Sequence, residues 1–315
     1  MTPVKNDARI AVGLAALGRP AYINLGRAEE LPEERDVAVM RAGTGAVLDR
    51  AYAAGVRRVD VARSYGRAEE FLAAWLAERG HDDVVVSSKW GYAYVGGWRL
   101  DAAVHEEKEH SLARFTEQWA QTRELLDGRV SLYQVHSLTA DSPLFTDEPL
   151  LGALAELADS GVRVGFSTSG PAQAETIRRA LELRVAGRPV FTAVQSTWNV
   201  LETSAGLALA EAHADGVLVQ LKETLANGRL AVSPPPALGA LAAARDVPAD
   251  AVALAAAFAQ PWADVVLVGP ASVGQLDANL AGARLDLGDD ELAALAELRE
   301  DPVEYWAHRS SLPWR

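Results

Sequence analysis

The sequence predicts an α/β fold, a (β/α)8 TIM barrel built as a single domain over residues 1–315 with long βα loops at its C-terminal face. Short runs rich in β-branched residues alternate with longer Ala- and Leu-rich runs of helical period, and the alternation recurs about eight times. No GxGxxG motif follows the first run, which disfavours the competing open, doubly wound sheet. No linker-like segment marks a second domain.

Each predicted strand is followed by a predicted helix. The strands span Ile10–Gly13, Arg57–Val61, Val84–Ser88, Val130–Val135, Val162–Phe166, Phe191–Gln195, Val217–Leu221 and Val265–Val268. The helices span Thr44–Ala54, Ala68–Arg79, Leu112–Leu126, Pro149–Asp159, Ala172–Leu183, Ala205–Ala214, Ala237–Ala259 (divided near Pro248), Val273–Ala281 and, last, Asp289–Leu298. Four predicted loops are long: Arg27–Met40, Trp90–His110, His136–Glu148 and Lys222–Pro236. Long loops on a compact scaffold usually carry functional residues or gate a site. In such a barrel the chemistry is expected at the C-terminal ends of the strands.

Composition narrows the classes of partner and site. With 30 basic and 43 acidic side chains the formal net charge is −13, which repels phosphate backbones and anionic lipids, so we expect neither nucleic acid nor a membrane as partner. The absence of cysteine excludes disulfides, thiolate nucleophiles and cysteine-based metal sites. The apolar run Ile10–Leu17 is short and broken by Gly13, which argues against a signal peptide. We expect a cytoplasmic protein, and the sequence leaves its oligomeric state open.

Four titratable side chains fall at or just beyond the ends of three consecutive predicted strands. They are Asp60 and Tyr65 in VDVARSYG, Lys89 in SSKWG and His136 in YQVHS. A phenol is a weak acid with a pKa of about 10, so the Lys89 ammonium can stabilise its phenolate while Asp60 supplies the counter-charge. His136 can bond a carbonyl oxygen that gains negative charge. Each residue type alone more often serves packing or an ion pair, but their joint placement predicts carbonyl reduction or its reverse.

These three motifs resemble those of the aldo-keto reductase family, and the resemblance extends over nearly the whole chain. It implies that Asp60, Tyr65, Lys89 and His136 form a catalytic tetrad in which Tyr65 is the general acid/base. The implied activity is that of an NAD(P)(H)-dependent oxidoreductase interconverting a carbonyl (aldehyde, ketone or aldose) and an alcohol by hydride transfer. The implied cofactor is NADP(H), bound extended across the barrel mouth without a Rossmann loop.

The resemblance also implies contacts to the cofactor. The residues concerned are Ser167, Thr168, Gln195, Lys222, Gly269, Ala271, Ser272, Gln275 and Asn279. Thr168 stands where the family has Asn in the carboxamide clamp, and Lys222 begins a seventh-strand segment, KETLANG, that departs from the family pattern. The basic residues with which many members grip a 2′-phosphate are replaced by the neutral Ala271, Val273 and Gln275, so NAD(H) is not excluded.

Aromatic side chains in or beside the predicted loops suit a pocket for a small carbonyl or sugar substrate. The pocket residues predicted in this way are Trp90, Tyr92, Trp98 and Trp198. A metal-dependent hydrolase is disfavoured because the six histidines are mostly away from strand ends, so we expect no metal. A regulatory or sensor protein of the same fold, which binds nicotinamide with little turnover, is the alternative. Turnover over a panel of carbonyl compounds separates the two hypotheses.

Overall fold

The computed structural model describes residues 7–315 of the chain. Its strands are β1 (Ile10–Gly13), β2 (Arg58–Asp60), β3 (Val85–Trp90), β4 (Tyr92–Tyr94), β5 (Glu106–Lys108), β6 (Val130–Leu138), β7 (Arg163–Thr168), β8 (Arg184–Val185), β9 (Arg188–Pro189), β10 (Ala193–Thr197), β11 (Leu218–Lys222) and β12 (Val265–Val268). Its helices are α1 (Arg27–Glu30), α2 (Val37–Ala53), α3 (Ala68–Arg79), α4 (Leu112–Leu126), α5 (Glu148–Asp159), α6 (Gln173–Leu181), α7 (Gly206–Ala214), α8 (Arg229–Val232), α9 (Pro236–Arg245), α10 (Ala249–Phe258), α11 (Val273–Gly282), α12 (Asp289–Ala296) and α13 (Pro302–Ser310).

Eight parallel strands within residues 7–315 close into a barrel, which confirms the predicted fold class. The order around the barrel is β1, β2, β3, β6, β7, β10, β11 and β12, and β12 pairs back onto β1. The register sets Gly13 beside Asp60, and Asp60 beside Ser87. Because all eight strands run the same way, their C-terminal ends form one mouth, and the side chains at these ends converge there.

The helix predicted over Ala237–Ala259 is divided into α9 and α10. Asp246 ends α9 in a left-handed conformation with φ 52°, and Pro248 precedes α10 in an extended conformation. Residues 250–258 of α10 are all buried, which the small alanine side chains permit. At Gly282 on α11 an added Cβ would lie 2.7 Å from Cβ of Leu254, so glycine allows α10 and α11 to pack closely.

Several segments left as loops by the sequence carry regular structure. Helix α1 and the start of α2 lie within the predicted loop Arg27–Met40. Helix α2 begins earlier than predicted because the Asp36 side chain caps it by accepting from the backbone N–H of Val39 at 2.8 Å. The loop after β3 contains the antiparallel pair β4 and β5. Helix α13 was not predicted, and it begins with Asp301 capping and a proline at the first helical position.

The C-terminal residues return to the barrel mouth. Arg315 and Tyr22 exchange both backbone hydrogen bonds, at 3.0 and 3.1 Å. The guanidinium of Arg27, on α1, also donates to the carbonyl oxygen of Arg315 at 2.7 Å. The end of the chain is therefore fixed over the mouth, beside the loop that follows β1.

Candidate functional site

Asp60 and Lys89 form a buried ion pair at the C-terminal ends of β2 and β3. Both residues are 1% exposed, and the Lys89 ammonium is hydrogen-bonded to Oδ1 of Asp60. The ammonium also donates to the carbonyl oxygen of Val61 at 3.2 Å. Oδ2 of Asp60 accepts from the Ser87 hydroxyl at 2.7 Å and from the Gln195 amide at 3.2 Å. A buried pair needs such additional partners, and these bonds fix the position of the ammonium.

Tyr65 lies in the turn between β2 and α3, with its hydroxyl 3.4 Å from Nζ of Lys89. Two glycines hold this turn against the loop that follows β1. An added Cβ on Gly18 would lie 2.2 Å from the carbonyl oxygen of Tyr65. At Gly66, whose φ is +60°, an added Cβ would lie 2.4 Å from the carbonyl oxygen of Gly18. No larger residue fits between these backbones, so the two glycines position the phenol.

His136 lies where the pairing of β6 with β7 becomes irregular. The following residue, Ser137, has φ 52°, and its backbone N–H donates to the Ser167 hydroxyl at 2.8 Å. The imidazole packs edge-on against the ring of Tyr65 with 5.5 Å between centroids, and its Nδ1 lies 3.4 Å from the Ser64 hydroxyl. A local irregularity of this kind re-aims a side chain, and here it brings the imidazole beside the phenol.

The pKa values of Tyr65 and His136 are displaced in opposite directions. Burial and the Asp60 carboxylate hold the pKa of Tyr65 well above 10, so the phenol is protonated. Burial, followed by the positive charges of Lys89, Lys222 and Arg19, holds the pKa of His136 well below 6.5, so the imidazole is neutral. From the sequence, Lys89 was expected to stabilise the Tyr65 phenolate. In the structure the Lys89 ammonium is paired with Asp60 and lies 3.4 Å from the phenol, and the Arg19 guanidinium acts to lower the pKa of Tyr65.

Arg19, which was not predicted as a site residue, lies in the loop after β1. It is 1% exposed and lines the same cavity as Tyr65. Its guanidinium donates to the carbonyl oxygen of Ser64 at 3.0 Å and to Oε1 of Glu106 at 2.6 Å. Nothing in the local sequence around Arg19 distinguishes it, because its burial and its contacts depend on how two loops far apart in the chain pack together.

A cavity of about 400 Å³ runs from these residues across the barrel mouth to α11. At one end its lining includes Asp60, Tyr65, His136 and Arg19, and at the other it includes Gly269, Gln275 and Asn279. Three further aromatic side chains line the first end: Tyr22, Tyr92 and Trp314. Of these, only Tyr92 was predicted from the sequence. The cavity therefore joins a group of titratable side chains to the N-terminal end of a helix.

The three tryptophans predicted for the pocket lie elsewhere. Trp90 is 0% exposed and packs inside the fold. Trp98 donates its indole N–H to the carbonyl oxygen of Arg35 at 2.8 Å. Trp198 packs edge-on against Trp262, with 5.9 Å between centroids. The sequence places these residues in or beside loops, but the direction of each side chain depends on packing that the sequence does not reveal.

Three charged side chains, at the end of β11, in the unusual segment that follows it and on α13, line the cavity. Lys222 donates to the Thr197 hydroxyl at 2.8 Å, and Glu223, with φ 51°, pairs with Arg309 of α13 at 2.6 Å. Burial lowers the pKa of Lys222 to about 8, although Glu223 acts to raise it. Burial acts to raise the pKa of Glu223, but Arg309 and then Lys222 outweigh it and lower that pKa to about 2. Lys222, Glu223 and Arg309 all line the cavity.

The residues expected at the cofactor fall into two groups. Gln195, Lys222, Gly269, Gln275 and Asn279 line the cavity, whereas Ser167, Thr168, Ala271 and Ser272 do not. The Ser167 hydroxyl binds the backbone N–H of Ser137, and the Thr168 hydroxyl bonds that of Ser196 at 2.7 Å. Ala271 N–H donates to the Gln275 side chain at 2.8 Å, and the Ser272 hydroxyl caps α11. Ser169, which was not predicted, lines the cavity beside them.

Residues 7–315 contain neither a membrane-spanning helix nor a cluster of metal ligands. No helix in this part of the chain is long and apolar enough to cross a bilayer. Nor does it contain a group of three or more His, Cys, Asp or Glu side chains that could hold a metal ion.

The aldo/keto reductase family matches residues 9–300 of the chain. Among solved structures, an aldo-keto reductase from Bacillus halodurans in its holo form is 21% identical, with a TM-score of 0.69, over 94% of this chain and 93% of that one. A Pseudomonas aeruginosa protein assigned to the aldo-keto reductases is 20% identical, with a TM-score of 0.64, over 88% of this chain and 90% of that one. No curated protein sequence matches the chain. Because the family match spans most of its length, the chain belongs to the aldo-keto reductase family.

Proposed function

We propose that the protein is an NAD(P)(H)-dependent oxidoreductase that interconverts a carbonyl and an alcohol, with Tyr65 as general acid/base. The observation that carries the proposal is the meeting of Tyr65, His136 and the Asp60–Lys89 pair at one end of a cavity. A protonated phenol and a neutral imidazole suit a carbonyl oxygen, which needs a proton and a hydrogen bond as it is reduced.

The polar groups that line the cavity support a nicotinamide dinucleotide as the cofactor. Its far end is lined by the amides of Gln275 and Asn279, and Gly269 leaves room there because an added Cβ would meet nothing within 4 Å. Asn227, also in the lining, has a buried Oδ1 without a hydrogen-bond partner. Such amides suit an adenine or ribose better than a metal ion or an apolar ligand. The bound cofactor would supply or accept the hydride.

The chain's own residues would handle the proton and the developing charge. In reduction, the substrate carbonyl carbon gains a hydride and its oxygen takes the proton of Tyr65, which leaves a phenolate beside Lys89. In oxidation, the phenolate removes the alcohol proton and both transfers are reversed. In the tautomer whose Nδ1 accepts from the Ser64 hydroxyl, the neutral His136 ring carries its proton on Nε2 and can donate to the substrate oxygen. Asp60 keeps the Lys89 ammonium in place through both directions.

The substrate end favours a small polar carbonyl compound such as an aldose or a short aldehyde. Flat faces are offered by Tyr22, Tyr92 and Trp314, and charged groups by Glu106 and Arg309. Aromatic faces that alternate with charged hydrogen-bonding groups suit a sugar, whose ring has apolar faces and a hydroxylated edge.

Fluorescence titration of the purified protein with NADPH and NADH, followed by turnover of an aldehyde and aldose panel, tests the proposal. The Tyr65→Phe variant is measured beside the wild type. We expect it to bind cofactor as the wild type does but to lose about a hundredfold or more of the rate. Binding of neither cofactor would overturn the proposal. Cofactor binding without turnover of any carbonyl compound would favour the sensor hypothesis.

A further inference from the structure

The Arg19 guanidinium has one donor edge that no group of the described chain satisfies. Both of its hydrogen bonds leave from Nη1, to the carbonyl oxygen of Ser64 at 3.0 Å and to Oε1 of Glu106 at 2.6 Å. Nε is buried and has no hydrogen-bond partner among residues 7–315, and Nη2 has none there either. A buried donor without an acceptor is costly, so this edge indicates an acceptor that comes from outside the chain.

Two other arginines near this end of the cavity have the corresponding edge occupied. Arg309 directs Nε and Nη2 at the Glu223 carboxylate, at 3.1 and 2.6 Å. Arg27 donates from Nε, Nη1 and Nη2 to backbone carbonyl oxygens of the loop after β1 and of Arg315. Of these three guanidinium groups, only that of Arg19 lines the cavity with its Nε–Nη2 edge unoccupied.

Three aromatic rings pack around the Arg19 guanidinium. Its carbon lies 4.6, 5.2 and 4.9 Å from the ring centres of Tyr22, Tyr65 and Trp314, and all four residues line the cavity. The rings hold the planar cation without using its hydrogen-bond donors. Because the guanidinium carbon is 5.2 Å from the ring of the proposed proton donor, a group bound to Arg19 would lie a few atoms from the carbonyl that is reduced.

The charges at this end of the cavity also favour an anion. Three pairs of opposite charge are present: Arg19–Glu106, Lys89–Asp60 and Arg309–Glu223. Lys222 is a further cation, and its salt-bridge partner Glu223, at 3.9 Å, is already paired with Arg309. These seven groups carry one excess positive charge in a chain whose formal net charge is −13. An excess cation in a partly dry pocket favours an anionic ligand over a neutral one.

We propose that Arg19 binds a carboxylate of the substrate through its Nε–Nη2 edge, so that small oxo acids and aldehyde acids are the preferred substrates. The inference rests on the proposed function and narrows its substrate class. The two oxygens of a carboxylate match this edge, and a charge-assisted pair of bonds is stronger than a bond to a neutral hydroxyl or amide. Glu106 does not compete for the edge, because it is bonded to Nη1.

Comparison of acids with neutral partners of similar shape tests the inference on the wild-type protein. The substrate pairs are 4-oxobutanoate with butanal, 2-oxobutanoate with its methyl ester, and glucuronate with glucuronamide. Calorimetry with succinate and succinamide, with and without NADH, measures binding without turnover. We expect the acids to have a KM lower by about tenfold or more, and succinate to bind about tenfold or more tightly than succinamide.

Three variants assign the preference to the Arg19 edge. Arg19→Met should bring the acid-to-neutral ratio of kcat/KM close to one, and Arg19→Lys, which keeps the charge without the planar edge, should give an intermediate ratio. Arg35→Met is the matched control, since Arg35 donates to the carbonyl oxygen of Pro20 at 2.9 Å and does not line the cavity. Its ratio should equal that of the wild type. Each ratio compares two substrates on one enzyme, so any effect of Arg19 on the acidity of Tyr65 cancels.

The outcomes separate the inference from the proposed function. Turnover of neutral carbonyl compounds, together with equal binding of succinate and succinamide, would overturn the inference alone. An acid preference that survives in Arg19→Met would do the same. So would a loss of NADH affinity in that variant as large as its loss of succinate affinity, because the edge would then serve the cofactor phosphates. Absence of turnover with every compound would overturn the proposed function and the inference with it.

Discussion

The guanidinium carbon of Arg19 lies 5.2 Å from the centre of the Tyr65 ring. This contact depends on the close approach of Gly18 to the Tyr65 turn, because Gly18 immediately precedes the arginine. Among the charges around the phenol, Arg19 lowers the pKa of Tyr65, whereas Asp60 and Glu106 raise it. Arg19 is therefore placed to stabilise the phenolate of the proposed reaction, a role that the sequence argument gave to Lys89 alone.

Replacing Arg19 with Met should raise the pKa of Tyr65 further, because burial and Asp60 would act without this opposing charge. Alcohol oxidation needs the phenolate, so the rising limb of its pH–rate profile should move up by about one pH unit, with about a tenfold loss of rate at neutral pH. Arg19→Lys keeps the charge and should recover much of the shift. A loss of rate with no movement of the profile would mean that Arg19 only supports the structure.

Features that depend on neighbouring residues can be predicted from this sequence, whereas contacts between residues far apart in the sequence cannot. The barrel strands and the motif from Asp60 to Tyr65 follow from local pattern, since strand period and the position of a strand end are read within a few residues. The contact of Arg19 with Tyr65 joins two loops far apart in sequence, and it depends on the space left by Gly18 and Gly66. Such a contact has no local signature.

Ser167 shows a second limit of sequence reasoning. A serine at the end of β7 was predicted at the cofactor, but its hydroxyl accepts from the backbone of Ser137 and so supports the irregular segment that carries His136. Which group the hydroxyl meets depended on the register shift between β6 and β7, which the residue pattern does not show.

His110 should make the stability of the protein sensitive to acid. Its Nε2 lies 2.9 Å from the carbonyl oxygen of His136 and its Nδ1 lies 2.8 Å from the Ser142 hydroxyl, so a neutral ring satisfies both contacts. Burial lowers the pKa of His110 from 6.5 to about 4. As the pH falls below 6.5 the unfolded chain takes up this proton before the folded chain does, so stability falls. The contribution lost between pH 6.5 and 5 is roughly 2 kcal/mol.

Urea unfolding at these two pH values checks the expectation. His110→Asn should be less stable than the wild type near neutrality, but its free energy of unfolding should fall by about 2 kcal/mol less on acidification. His308, exposed on α13, provides the matched control substitution by Asn. Equal acid sensitivity in wild type and His110→Asn would contradict this account of His110.

The contributions of Glu223 and Arg309 to the free energy of unfolding should be strongly coupled. Arg309→Met leaves the Glu223 carboxylate, 9% exposed, with only Lys222 and Thr197 near it, and we expect a loss of about 3 kcal/mol. The double variant Glu223→Gln/Arg309→Met removes both charges and should recover much of that loss. A double-mutant cycle from denaturant unfolding measures the coupling. Additive effects of the two substitutions would show that the pair contributes little beyond its separate members.

Trp314 should define the size of the proposed substrate pocket. Its ring stacks on His105, with 4.4 Å between centroids and 9° between planes, and it lies 4.9 Å from the Arg19 guanidinium carbon. Together with Tyr92 and Glu106 it separates the Tyr65 cavity from an outer recess formed by residues 100–106. Truncating it would join the two spaces and remove an aromatic face from the substrate.

For the best small substrate, Trp314→Ala should therefore raise KM by about tenfold while kcat changes by less than about threefold, because the lost contact binds substrate without taking part in proton transfer. Bulkier carbonyl compounds should be affected less or become better substrates. Trp314→Phe should give an intermediate KM, and Trp98→Phe, which changes a tryptophan outside the cavity, should give the wild-type value. A large fall in kcat at unchanged KM would instead place Trp314 in the support of Tyr65 and Arg19, since its ring also packs on that arginine.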